Sequence, residues 1–326
     1  MSDTTQAPPA AQNRLEHFPV TFFAITMGLM GMTLALHAGA PAFPWLGVAS
    51  TGMMVAGAVA FGAIAVIFGL KALRYPKAVS QEWHHPVKLA FFPTITISLL
   101  LLATAVHSHN AGLAEVIWLI GTVGQGALTI AVVTSWISHR SFEVGHLTPA
   151  WFIPAVGNVI VPVLGARMGY IEVSWLFFSG GMIFWLILLT LVMNRLIFHD
   201  PIGARLFPTM VILIAPPALA FLAYVSMMGF VDGFARILIN AAYIFTALVL
   251  AQVPRLVKLP FALSWWALSF PLAGLSIASF RFSQLEGTRL HQTIGVIVLC
   301  VLAVVVTGLI IRTVVGIARA EFCHPE

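Results

Sequence analysis

The chain of 326 residues is 60% hydrophobic and only 8% charged, with a mean hydropathy of +0.99. A soluble domain carries about 25% charged residues, so this composition excludes a soluble protein and indicates a polytopic membrane protein. The formal charge of +5 is therefore interpreted as membrane topology and not as a nucleic-acid binding surface. The two cysteines provide no disulfide framework and no metal-ligand spacing.

Ten apolar segments are close to the length of about 20 residues that crosses a bilayer. These predicted spans 1 to 10 lie near 18–38, 45–70, 87–107, 112–138, 149–166, 173–194, 206–228, 233–253, 261–281 and 291–318. The connections between them are short, so we expect one membrane domain over 15–320. We expect a disordered cytoplasmic tail at 1–14, which lacks the apolar run of a signal peptide, and a second cytoplasmic tail at 321–326.

Basic residues predict the orientation of the spans. With these bounds, 12 of the 16 Lys and Arg residues lie on the side that holds both termini. The other side holds Arg167, Arg236, Arg281 and Arg289. Because Lys and Arg accumulate on the cytoplasmic side of membrane proteins, both termini are predicted to be cytoplasmic. The expected location is the bacterial inner membrane.

Prolines distinguish the odd-numbered spans from the even-numbered ones. The odd spans carry Pro19, Pro93, Pro154, Pro216 and Pro271, at intervals of 74, 61, 62 and 55 residues, whereas the interiors of the even spans carry none. Proline is also frequent in membrane helices in general, which is the alternative explanation. The strict alternation favours an internal repeat of a kinked helix followed by a straight one, that is, five helical hairpins.

The kinks predict which spans face inward. Proline inside a helix removes one backbone hydrogen bond, and lipid cannot satisfy the carbonyl that is freed. We therefore predict an all-α integral membrane fold of ten transmembrane helices, with five kinked inner helices around a central pore and five outer helices around them. Small residues on an outer span, such as Gly121, Gly124 and Gly126, favour close helix packing.

None of the ten predicted spans carries an ionisable side chain at mid-depth. Ion-coupled transporters and proton pumps use such groups, and cation channels use carboxylate rings or carbonyl filters. The pattern therefore favours a passive path for anions, lined by hydroxyls, backbone and apolar rings. The eleven histidines lie in loops or near span ends, with no facing pair for haem and no zinc motif, so we expect no metal, no cofactor and no enzyme activity.

Four segments resemble the tellurite-resistance/dicarboxylate transporter family, which includes the slow anion channel of plant guard cells. They lie at 85–93, at 151–158 (Trp-Phe-Ile-Pro-Ala-Val-Gly-Asn), at 210–217 and at 264–271 (Ser-Trp-Trp-Ala-Leu-Ser-Phe-Pro). They occur in the family's order and cover essentially the whole chain beyond residue 14. The amino-acid sequence at 151–158 and at 264–271 is more similar to the guard-cell branch than to the tellurite branch.

This resemblance implies a homotrimer in the lipid bilayer with one pore in each subunit, lined by the odd helices. It also implies an anion channel gated by a phenylalanine plug in the ninth helix, which corresponds to Phe270. Near-matching residues imply further pore-lining candidates, namely Phe22, Phe92, Phe152 and Pro216, beside the kink residues Pro19, Pro93, Pro154 and Pro271.

Three functions remain open at this stage. The first is an anion-selective channel that passes small inorganic anions such as chloride or nitrate. The second is a secondary carrier for dicarboxylate, sulfite or tellurite oxyanions, as in other members of the resembled family. The third is a structural or assembly protein of the membrane. The absence of acids inside the spans favours the channel over the carrier.

Overall fold

The computed structural model describes residues 14–138 and 142–323 as a helical protein. Among these residues, nine helices are long and apolar enough to cross a membrane, and a tenth apolar helix is shorter. Spans 1 to 10 occupy Val20–Gly39, Trp45–Arg74, Lys88–Val106, Ala111–Ser138, Pro149–Gly165, Ile171–Phe198, Phe207–Met228, Gly233–Leu250, Leu263–Glu286 and Arg289–Ala318. Most of the tail predicted at 1–14, and residues 324–326 of the other tail, lie outside the described residues.

Burial alternates along the chain as predicted. In spans 1, 3, 7 and 9, between 72 and 83% of the most apolar stretch is buried, against 17 to 33% in spans 2, 4, 6, 8 and 10. In span 5 every residue except Val163 is buried. The odd spans therefore form an inner bundle and the even spans surround it. Five helical hairpins make up the fold, in agreement with the sequence-based prediction.

The fifth span reaches across despite having only 17 residues. It combines two 3₁₀ segments, Pro149–Trp151 and Gly157–Ile160, with two short α-helices, Phe152–Val156 and Val161–Gly165. A 3₁₀ helix rises about 2.0 Å per residue and an α-helix about 1.5 Å, so the span is about 29 Å long. That length matches a hydrocarbon core of about 30 Å.

Each inner span begins in 3₁₀ conformation and then continues as an α-helix. The opening 3₁₀ segments are Val20–Phe22, Lys88–Phe91, Pro149–Trp151, Phe207–Ile214 and Leu263–Leu268. Several prolines lie at the change of helix type: Pro93 directly precedes the α-helix of span 3, and Pro216 and Pro271 lie in the first turns of the α-helices of spans 7 and 9. Proline is tolerated there because the first N–H groups of an α-helix have no partner within it.

Glycines bring outer and inner helices together. A Cβ added at Gly124 of span 4 would lie 2.8 Å from Thr96 of span 3, and one added at Gly121 would lie 3.1 Å from Leu100. These distances leave no room for a side chain, so the backbones of spans 3 and 4 lie in close contact. The packing role predicted for these outer-helix glycines is confirmed.

A buried ion pair closes the side of the bundle where the inner spans begin, which we call the termini side. Lys71, at the end of span 2, lies 2.8 Å from Glu82 of the short helix Pro76–His84. Lys71 Nζ also donates to the Phe18 carbonyl, and Glu82 Oε2 accepts from the Val20 N–H. Both charged side chains are buried. The pair thus fixes the start of span 1. We call the other end of the bundle, where the inner spans finish, the opposite side.

Candidate functional site

An axial cavity lies between the five inner spans, and each of them contributes side chains to its wall. The cavity is small, with a volume of about 30 Å³. Its lining comprises Ala24, Met27, Phe91, Ile97, Phe152, Ile153, Val156, Gly157, Ile160, Ile212, Ala215, Pro216, Leu219, Ala267, Phe270 and Pro271. The convergence of all five inner spans on one space makes this cavity the candidate site.

The wall of the cavity is apolar. Three aromatic side chains, Phe91, Phe152 and Phe270, contribute to the wall together with aliphatic side chains. A space of about 30 Å³ holds about two water molecules, and an apolar wall offers them no hydrogen bonds. A hydrated ion does not fit, so the space between the inner spans is narrow and apolar at this level.

Phe270 owes its position to close packing between spans 1 and 9. It is the second residue of the α-helix Ser269–Glu286, directly before Pro271. A Cβ at Gly31 of span 1 would lie 3.3 Å from Phe270 Cδ2 and 3.0 Å from Ala273 Cβ. At Gly28 the added atom would lie 2.3 Å from Ser269 Oγ. The glycine face of span 1 therefore allows span 9 to approach and supports the ring at the axis.

Four of the residues predicted for the site lie together in the cavity wall. Phe270 and Pro271 come from span 9, Phe152 from span 5 and Pro216 from span 7. All four are buried. Each of them lies within the first three residues of an α-helix that follows a 3₁₀ segment.

Two predicted rings point elsewhere. Phe22 stacks on Phe18 at a centroid distance of 4.4 Å and meets the edge of Phe322 at 5.9 Å, on the termini side. Phe92 packs edge-on against Trp83 at 5.0 Å and Phe68 at 6.3 Å. Both contribute to the packing between inner and outer elements and lie outside the cavity lining.

The remaining predicted prolines also lie outside the cavity lining. Pro19 precedes the 3₁₀ segment Val20–Phe22, and Pro93 precedes the α-helix of span 3. Pro154 lies inside span 5, and its carbonyl oxygen accepts hydrogen bonds from Gln125 Nε2 at 3.1 Å and Thr129 Oγ1 at 2.9 Å. These prolines shape the inner spans rather than line the space between them.

Gln125 is a buried polar residue that the sequence analysis did not identify. It lies near the middle of span 4 and is fully buried. Its Oε1 accepts from Thr96 of span 3 at 2.7 Å, while its amide donates to Pro154 of span 5. Thr129, one turn further on, also contacts Asn158 Oδ1 at 3.1 Å. One outer helix thus connects two inner helices where span 5 changes helix type.

The hydroxyl groups expected along the path are used between helices instead. Thr26 of span 1 and Ser98 of span 3 share a hydrogen bond of 2.7 Å, and Thr26 also donates to the Phe23 carbonyl at 2.7 Å. Thr96 pairs with Gln125. The expectation of a hydroxyl-lined path is therefore wrong for this cavity, because buried hydroxyls without water must bond to protein groups.

Several wall residues were missed by sequence reasoning. The most informative is Phe91, which lines the cavity where Phe92 was expected. It ends a 3₁₀ segment, in which each residue advances by about 120° and not by the 100° of an α-helix. Phe92 was expected from near-matching residues of the resembled family, and the 3₁₀ rotation turns Phe91 to the wall instead. The larger side chains among the other missed wall residues include Met27, Ile97, Ile160, Ile212 and Leu219.

Comparison with known proteins agrees with this architecture. A family model for voltage-dependent anion channels, SLAC1, matches residues 17–314. The S-type anion channel SLAH3 of Arabidopsis thaliana is 25% identical over 311 residues, which is 92% of this chain and 48% of the plant protein. The chain thus spans about half the length of that relative.

Two prokaryotic relatives match over most of both chains. The tellurite resistance protein TehA homolog of Haemophilus influenzae is 26% identical over 306 residues, covering 93% of this chain and 92% of the relative. An uncharacterized transporter of Methanocaldococcus jannaschii is 26% identical over 296 residues, covering 82% and 85%. Because the family model covers nearly all ten spans, the chain belongs to the SLAC1 family of membrane anion channels and transporters.

Proposed function

We propose that the protein is an anion-selective channel that passes small monovalent anions, such as chloride and nitrate, passively along the axis of each subunit. The observation that carries this proposal is the axial cavity, which all five inner spans line with apolar side chains. A coupled carrier commonly needs ionisable groups within the membrane. The lining of this cavity contains none.

Phe270 is the gate in this proposal. Its side chain lines the cavity, as does that of Phe152, and its exposed fraction is only 7%. Displacement of the ring would widen an apolar passage enough to hydrate it, and hydration permits conduction. The gate is thus a barrier to water as well as to ions.

The experiment is to record currents for the wild type and Phe270→Ala in oocytes or planar bilayers. We expect Phe270→Ala to raise the conductance, and the reversal potential to follow the anion gradient when chloride is replaced by nitrate or gluconate. An unchanged current at normal surface expression would refute the gate assignment. A reversal potential that follows the cation gradient would refute anion selectivity.

A secondary carrier for dicarboxylate, sulfite or tellurite oxyanions is the second candidate. It is favoured by the tellurite resistance homolog, whose length this chain matches almost completely. A carrier should give saturating uptake in liposomes that responds to a proton gradient. Uptake of this kind without channel currents would select the carrier.

The proposal includes the orientation and assembly of the protein. We place both termini in the cytoplasm of the bacterial inner membrane, because 12 of the 16 basic residues belong to that side by the predicted spans. We also propose a homotrimer, in which each subunit keeps its own path. Labelling of single engineered cysteines from each side of the membrane tests the orientation, and the mass of the detergent-solubilised protein tests the trimer.

A further inference from the structure

The pore-facing surface of span 9 leads from Phe270 to a basic residue at the opposite side of the bundle. Arg281 lies eleven residues after Phe270 in the uninterrupted α-helix Ser269–Glu286. Eleven residues of α-helix rotate by three full turns and about 20° more, and they rise about 16 Å along the helix axis. Arg281 therefore lies on the same face as the gate candidate, near the end of the span.

Span 5 leads to a second arginine in the same way. Ile160 lines the cavity, and α-helix continues from Val161 to Gly165, with Ala166 still in the right-handed helical region at φ −62° and ψ −39°. Arg167 follows Ile160 by seven residues, which is two turns within about 20° and a rise of about 10 Å. Spans 5 and 9 thus each carry an arginine near the opposite side of the bundle, on the helix face that lines the cavity nearer the middle of the span.

Within the described residues, neither arginine has a counter-charge from the protein. Among the described residues, no hydrogen bond or ion pair involves the guanidinium of Arg167 or Arg281. The Nε of Arg281 is buried and has no partner there. Arg236 on the same side, in contrast, forms an ion pair with Glu286. A buried guanidinium N–H without an acceptor is costly, which points to a ligand from outside.

The two guanidinium groups also affect each other. The pKa of Arg167 is lowered from its ordinary value, first by loss of hydration and second by the positive charge of Arg281. Arg167 is exposed at the surface, yet nearby protein atoms still make hydration loss the larger cause of its lowered pKa. Two like charges held within interaction range are stabilised by a bound counter-ion of opposite charge.

We propose that Arg167 and Arg281 form a binding site for a small inorganic anion at the opposite side of the bundle, above the Phe270 constriction. The site concentrates anions where the path opens, and the planar N–H donors of two guanidinium groups suit halide and nitrate alike. Its place on the path rests on the proposed channel function, whereas binding itself does not.

Bromide tests the binding directly. Crystals of the intact protein soaked in sodium bromide are measured at the bromine absorption edge. We expect an anomalous peak between Arg167 and Arg281 in the wild type and in Arg289→Gln, and its loss in the double variant Arg167→Gln/Arg281→Gln. Arg289 is the matched control because it lies on the same side but begins outer span 10. Absence of the peak in the wild type overturns the site, whatever the currents show.

Currents test the place of the site on the path, in the Phe270→Ala background. At about 10 mM chloride the Debye length is about 30 Å, so salt screens the arginine charge only weakly. Under this condition we expect Arg281→Gln to lower the conductance about tenfold. At about 1 M chloride the deficit should fall below about twofold, and Arg281→Lys should retain most of the conductance. An equal deficit at both concentrations, or the same loss in Arg289→Gln, overturns the placement on the path. If Phe270→Ala carries no current, the channel proposal fails and the bromide peak alone decides the site.

Discussion

Gly31 lies directly against Phe270, so that a Cβ added at position 31 would stand 3.3 Å from Cδ2 of the ring. The same atom would stand 3.0 Å from Ala273 Cβ. The glycine is therefore a requirement of the packing between span 1 and span 9. It also supports the Phe270 ring, which lines the axial cavity.

Replacement of this glycine should destabilise the protein. We expect Gly31→Ala to cost about 1 to 2 kcal/mol, because spans 1 and 9 would have to separate by a few tenths of an ångström. The control is Gly62→Ala on outer span 2, where nothing lies within 4 Å of the added atom. That change should be neutral or stabilising by up to about 1 kcal/mol through helix propensity. Unfolding in detergent measures both, and equal stabilities would contradict the tight contact.

Adjacent phenylalanines at 91 and 92 should behave differently. Phe91 lines the cavity, whereas Phe92 packs against Trp83 and Phe68. Both changes to Ala should destabilise the protein by about 3 to 5 kcal/mol, because both rings are buried. In the Phe270→Ala background, only Phe91→Ala should raise the anion conductance further. A larger increase for Phe92→Ala at matched surface expression would reverse our assignment of the wall.

The amide of Gln125 should stabilise the junction of spans 3, 4 and 5. Gln125→Met keeps the volume and removes the bonds to Thr96 and Pro154, so we expect a loss of about 1 to 2 kcal/mol. Thr129 still donates to Pro154 at 2.9 Å, so Gln125→Met and Thr129→Val should be coupled in a double-mutant cycle. Thr190→Val is the control, since its hydroxyl bonds only within its own exposed turn. Strict additivity of the first two changes would argue against a shared network.

The ion pair on the termini side should be sensitive to the loss of one partner. Glu82→Gln leaves the buried Lys71 ammonium without a counter-charge, which should cost about 3 to 5 kcal/mol. The double variant Lys71→Met/Glu82→Leu removes both charges and should recover much of that loss. Thermal unfolding in detergent distinguishes the variants. A double variant no more stable than Glu82→Gln would show that hydrogen bonding to Phe18 and Val20 dominates over the charges.

Local physical constraints made the span count and the inner set predictable. Apolar length predicted all ten spans; nine of them are long enough in the structure, and the fifth, Pro149–Gly165, is the shorter apolar helix. Prolines such as Pro93 and Pro271 marked the inner spans, because a helix that lacks a backbone bond is disfavoured in lipid. Of the residues predicted for the site, four lie together in the cavity wall of the structure: Phe152, Pro216, Phe270 and Pro271.

The sequence by itself therefore determined the class of protein and the alternation of inner and outer helices, whereas the position of the gate candidate came from the family resemblance. Only the tertiary structure decided which face of each inner helix meets the axis. A change between 3₁₀ and α-helix alters the rotation per residue, so Phe91 replaces Phe92 in the wall. The structure also decided that Thr26, Thr96 and Ser98 bond to other helices, because those partners come from distant parts of the chain. Contacts between distant segments leave no periodic signal in the sequence.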